Sequence, residues 1–115
     1  MSRILEESKL YGIVGERIRM ARRSCTPLVR QEDVANRSDG QLSRSSVANI
    51  EAGRQSVTLH QLYRIAEILN VEPRVLLPER HLVFEGAVEK LEDSGKQEWL
   101  SRVLAEEPKP KKKKR

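Results

Sequence analysis

Apolar residues recur along this chain at three- and four-residue steps, the spacing that gathers one apolar face on an α-helix. Ile13, Val14, Ile18, Ala21 and Cys25 form the first such face. They predict a helix over Ile13–Ser24, with Arg17, Arg19 and Arg23 on its other sides. Residues 1–12 read as a flexible lead-in. Thr26-Pro27 has the form of an N-cap followed by proline at the first helical position. Val29, Val34 and Ala35 mark a second, short helix ending near Arg37, its start being either Pro27 or Gln31. Ser-Asp-Gly-Gln at 38–41 signals a turn, with Gly40 free to take a positive φ.

Ser43 is a good N-cap for a third helix over Arg44–Glu51. Leu42 and Val47 can staple its start, Val47 and Ile50 face inward at i, i+3, and Gly53 suits a left-handed C-terminal cap. Thr58 caps a fourth, strongly periodic helix carrying Leu59, Leu62, Ile65, Ala66 and Leu69. Pro73 opens a short fifth turn through Leu77, which Pro78 closes. Two further helical segments follow. His81–Ser94 offers Leu82, Val83, Val88 and Leu91, and Gln97–Glu107 offers Trp99, Leu100, Val103 and Leu104. Neither a strand pattern nor a useful internal repeat interrupts the series. The fold class expected is all-α.

Charge changes this picture chiefly at one end. Of 115 residues, 22 are Lys or Arg and 17 are Asp or Glu, for a net charge of +5. Residues 1–57 carry ten basic against seven acidic side chains, and residues 58–107 carry six against ten. The last eight residues, PKPKKKKR, add six positive charges and no acid. The basic balance is therefore mostly a property of the tail, and alone it is a weak pointer to nucleic acid.

Several function classes find no residues to support them. No stretch approaches the roughly 18 consecutive apolar residues needed to span a membrane. The N-terminus lacks the apolar centre of a secretory signal, so the expected location is cytoplasmic. A single cysteine, Cys25, rules out an intrachain disulfide and thiolate zinc clusters, and it reads as a small core residue. His60 and His81 are solitary, which leaves no metal site. With no Gly-rich phosphate loop, HExxH or Ser/His/Asp grouping, neither an enzyme nor a cofactor is expected.

What remains is two helices joined by a tight, glycine-containing turn, the second well capped and polar outside, which is a helix-turn-helix layout. GERIRMARRS, RQEDVA, SRSSVANIEAGR and TLHQLYRIAEILNV, in that order, resemble the phage repressor/Cro-type helix-turn-helix domain, the XRE family. The resemblance covers about residues 13–78. It implies a five-helix repressor-like domain, to which 79–107 add a C-terminal helical extension and 108–115 a basic, disordered tail. The stretch from Ala35 to Ser43 runs about two residues longer than the common family turn, the connection from Arg22 to Gln31 is longer too, and Arg30 stands where a Ser/Thr cap is usual.

In this frame the third helix is the one that enters the major groove of double-stranded DNA. Arg44, Ser45, Ala48 and Asn49 fall on its outer side once Val47 and Ile50 face the core. Arg44 can donate two hydrogen bonds to guanine, Asn49 can pair with adenine, Ser45 suits several bases and Ala48 can touch a thymine methyl. Gln31, Ser46, Arg54 and Ser56 match family positions that meet the DNA backbone. Ala35 is small where the second helix lets the third approach. The resemblance also implies that Glu51 pairs with Arg22 on the first helix, a structural role.

The function so implied is a transcriptional regulator, most often a repressor in this family, binding an inverted repeat as a homodimer. Trp99, Leu100 and Val103 are candidates for the dimer contact, the alternative being that Trp99 closes the monomer core. A second reading is an antitoxin or protease-inactivated regulator, whose residues 80–107 bind a protein partner and whose DNA binding is autoregulatory. The lysine tail reads as a flexible polycation for non-specific DNA contact, as a solubilising end, or, in a eukaryotic cell, as a nuclear-localisation signal.

Overall fold

In the computed structural model, which describes residues 4–84 and 99–101, the first helix, α1, spans Glu7–Arg23 and so begins ahead of Ile13. No side chain caps its start. Backbone pairing does that work instead: the Glu6 N–H donates to the Val83 carbonyl at 2.7 Å, and Leu5 makes an antiparallel bridge to Phe84. Glu7 in the first turn and Arg22 and Arg23 in the last complement the helix dipole. Ile13, Val14, Ile18 and Ala21 are buried along one face.

The second helix, α2, is Gln31–Asn36, and Thr26-Pro27 lies in the bend before it. The Asp33 carboxylate accepts from the Arg30 N–H at 2.9 Å, satisfying a donor at this helix entrance without a Ser/Thr cap. The long turn that follows is pinned by Ser38, which is fully buried. Its hydroxyl donates to the Ala35 carbonyl at 2.8 Å and accepts from the Leu42 N–H at 3.0 Å. Asp39 and Gly40 both take positive φ, at 57° and 79°, and absorb the extra length.

The third helix, α3, is Arg44–Glu51; the Ser43 hydroxyl oxygen accepts from the Ser46 N–H at 3.0 Å. The fourth, α4, is Leu59–Leu69, opened by a reciprocal Thr58–Gln61 box and closed by Asn70 at φ 60°. Leu62, Ile65, Ala66 and Leu69 are buried, whereas Leu59, assigned to the same face by periodicity, is 68% exposed. It occupies the first helical position, where the inward stripe has not yet reached the core. A 3-10 turn covers Pro73–Leu76, and a last short helix, α5, covers Arg80–Val83.

The expected continuous helix over His81–Ser94 is interrupted after α5, at Phe84; residues 85–94 lie outside the described residues. Phe84 is extended, at φ −101° and ψ 152°, because its backbone is drawn to Leu5. Residues 99–101 are helical; the rest of the expected 97–107 helix, Val103 included, lies outside the described residues, as does the tail. The architecture is thus all-α, with six helical elements up to Val83, the helical residues 99–101 and no β-strand among the described residues. Ile18, Val34, Val47, Ile50, Ile65 and Leu76 meet at its centre, each under 2% exposed.

Trp99 completes that centre from the C-terminal side. It is 7% exposed, and its ring N–H donates to the Val75 carbonyl at 3.0 Å. Arg17 sits 5.4 Å from the ring centroid and also donates to the Leu77 carbonyl at 2.7 Å and to Glu79 at 3.0 Å. Of the two roles expected for Trp99, the one found is inside the protomer's own core. Leu100 packs half-buried against the same cluster.

Candidate nucleic-acid interface

The position of α3 is set from beneath by one charged cluster. Arg22 donates through Nε to Glu51 Oε2 at 2.6 Å, through Nη2 to Glu51 Oε1 at 2.9 Å, and through Nη1 to the Val29 carbonyl at 3.1 Å. Gln31 Nε2 donates to Glu51 Oε1 at 2.9 Å. Donors from α1 and α2 converge on one α3 carboxylate that is 3% exposed, and the Arg22 guanidinium also ties in the loop before α2. A buried carboxylate needs its lone pairs filled, and here three side-chain donors, two from Arg22 and one from Gln31, serve that end.

Gly15 lets α1 and α3 come this close. A Cβ there would collide with the Ile50 carbonyl and stand 2.7 Å from that of Glu51. Nothing in the hydrophobic pattern marks this residue. The signal available was a glycine inside a helix, which costs about 0.5–1 kcal/mol relative to alanine and so asks for a packing reason. Arg17 was also missed, since a helical arginine reads as a surface residue until its carbonyl and aromatic partners are known.

Above this underside, α3 presents a polar outer face. Arg44 and Ser45 are exposed on its first turn. Ala48 and Asn49 are half-buried one turn later, and Ala48 lines a groove with Gly12, Glu16, Arg19, Gln31 and Glu51. Ser46 is half-buried, and its hydroxyl accepts from Ser43 at 3.2 Å. Gly53, at φ 78°, reverses the chain so that the Arg54 N–H donates to the Asn49 carbonyl at 2.9 Å. Arg54 Nη2 also donates to Asn49 Oδ1 at 3.2 Å. Ser56 is exposed further along the same loop.

The expected contact residues therefore fall into distinct groups. Arg44, Ser45, Ala48 and Asn49 share the outer side of α3, and Arg54 is joined to Asn49. Gln31 turns its amide nitrogen inward to Glu51. Trp99 is buried in the core and Leu100 packs half-buried against it. Among the described residues, no three His, Cys, Asp or Glu side chains gather as a metal site would require, and no helix is long and apolar enough to cross a membrane.

Comparison with known proteins agrees with this geometry. The family model for the helix-turn-helix matches residues 29–76, which include α2, α3 and α4. The restriction-modification controller protein C.AhdI from Aeromonas hydrophila has a solved structure that is 33% identical, over 58% of this chain and 91% of that one, with a TM-score of 0.52. This chain belongs to the XRE-type helix-turn-helix family. Its other structural relatives include the DNA-binding domain of BldD, at 26% identity and TM-score 0.53, covering 68% of this chain and all of that one. The S. venezulae BldD DNA-binding domain is 26% identical with TM-score 0.51, over 60% of this chain and 97% of that one. None of the curated proteins compared matches the chain. As a member of this family, the protein is a DNA-binding transcription regulator, with α2 and α3 as its helix-turn-helix.

Proposed function

We propose that the protein is a sequence-specific repressor that binds an inverted-repeat operator as a homodimer, reading bases with Arg44, Ser45 and Asn49. The observation that carries this reading is the division of α3 into two sides. Its underside is locked by Val47, Ile50 and Glu51, while its outer side offers exposed hydrogen-bonding groups on the first turn. Donors held on a rigid helix can discriminate base edges; Ala48 adds an apolar contact suited to a thymine methyl. Ser46 and Ser56 flank this helix and suit phosphate positioning, whereas Gln31 acts through Glu51.

A homodimer follows from the count of reading helices. One domain offers a single such helix, and two half-sites about 34–36 Å apart on one face of the duplex supply the remaining affinity and specificity. The domain at 13–78 forms the reading unit, the basic tail at 108–115 adds non-specific affinity, and the site of action is the DNA of the cytoplasm. Likeness to a restriction-modification controller protein supports control of gene expression as the role. The test is sequencing of DNA selected by the full chain from a random pool. A motif with two inverted halves is expected. Recovery of no enriched sequence at moderate salt contradicts sequence-specific binding, and a single unrepeated half-site contradicts the dimer.

A further inference from the structure

We propose that Arg54 sets the base preference of Asn49, holding its carboxamide so that this position of α3 selects guanine over adenine. The inference rests on the reading of α3 as the base-contacting helix. An asparagine reads adenine by accepting from N6 through its oxygen while donating to N7 through its amino group. In this protein Asn49 Oδ1 already accepts from Arg54 Nη2 at 3.2 Å. A second lone pair remains on that oxygen, but an adenine N6 amino group brought to it would lie beside the guanidinium N–H groups, donor against donor.

Guanine presents two acceptors, N7 and O6, on the same groove edge. These match the Asn49 amino group together with the guanidinium N–H groups beside it, so the two side chains form one donor surface. The hold is also built into the backbone. Gly53 at φ 78° turns the chain back, and the Arg54 N–H donates to the Asn49 carbonyl at 2.9 Å, which brings the two side chains out from neighbouring points. A lone phosphate contact would not need this double tie. Arg54 is exposed, so truncating it leaves the core untouched.

The test begins with the motif selected by the full chain. Asn49→Ala then identifies the base position that Asn49 reads, as the one whose preference disappears. Guanine is expected there. In Arg54→Ala the preference for guanine over adenine at that position should fall from about tenfold to near parity or below, with the other positions unchanged. The double variant should lose no more discrimination there than Asn49→Ala alone. Adenine at that position in the parent overturns the proposal. So does an Arg54→Ala variant that weakens every sequence equally and lowers the salt slope by about one, the mark of a phosphate contact. If Asn49→Ala alters no position, the proposal falls while base reading through Arg44 and Ser45 stands. If no motif is selected at all, it is the reading of α3 that fails.

Discussion

Two buried arginines, both in the second half of α1, fasten it to the rest of the fold in different surroundings. Arg22 meets a carboxylate that is 3% exposed, on α3. Arg17 meets one that is 38% exposed, on the chain leading into α5, and shares its charge with a carbonyl and the Trp99 ring. In the first joint neither charge can return to water without unfolding, and dissolved ions cannot screen the pair. In the second, solvent reaches the acid and weakens the attraction. The insulated joint is the one under α3, where a small tilt would displace every side chain of the proposed base-reading face.

The largest effect is expected from opening the insulated joint. Glu51→Ala leaves the Arg22 guanidinium buried without its partner and should cost about 3–5 kcal/mol, read by urea unfolding followed by circular dichroism. A loss below about 1 kcal/mol would show that water reaches the pair. Arg17→Met keeps the volume but removes the donor to Leu77 and the bond to Glu79, and a smaller loss of about 1.5–3 kcal/mol is expected. Base preference should be unchanged in that variant, since the Arg17 joint does not touch α3. A shift in preference would mean that the two joints are not independent.

Ser43→Ala removes the hydroxyl that accepts from the Ser46 N–H and should cost about 1 kcal/mol, again by urea unfolding. A cost below a few tenths would mean that the adjoining turn alone holds the start of α3. The smallest effect concerns Cys25, which follows α1 at the Arg22 end. Burial pushes its thiol above the ordinary range, against the opposing pull of Arg37 and Arg22. Because the folded state binds this proton more tightly, the contribution to stability is present below the unfolded thiol's range and is lost as pH rises through the folded value. Alkylation near that range should be slower in the native chain than in urea, and faster in Glu51→Ala than in the parent. Equal native and unfolded rates would show the thiol to be open to water.

How far these features could be read in the sequence depends on whether their causes are local. Ser43 and Gly53 bracket α3, and Thr58 with Gln61 opens α4, through hydrogen bonds spanning only a few residues. Turn and cap chemistry of that kind is written in the residues themselves. The start of α1 is not, because it depends on Leu5 and Glu6 meeting Phe84 and Val83 across the molecule. The same pairing ends α5 at Val83, a break that the periodicity of this segment does not predict. Gly15, Arg17 and the inward turn of Gln31 likewise owe their roles to residues distant in sequence. The polar outer face of α3 was legible from helical spacing, but the bond from Arg54 to Asn49 was not, since it depends on the path of the chain after Gly53.

The outer side of α3 is the proposed base-reading surface. Arg44, exposed on its first turn, tests this most directly. The affinity of Arg44→Ala for the selected operator and for random DNA should be measured at one salt concentration. A loss of about 1–3 kcal/mol on the operator, with random DNA nearly unaffected, is the expected result. An equal loss on both would place Arg44 on phosphate and contradict the assignment of that face.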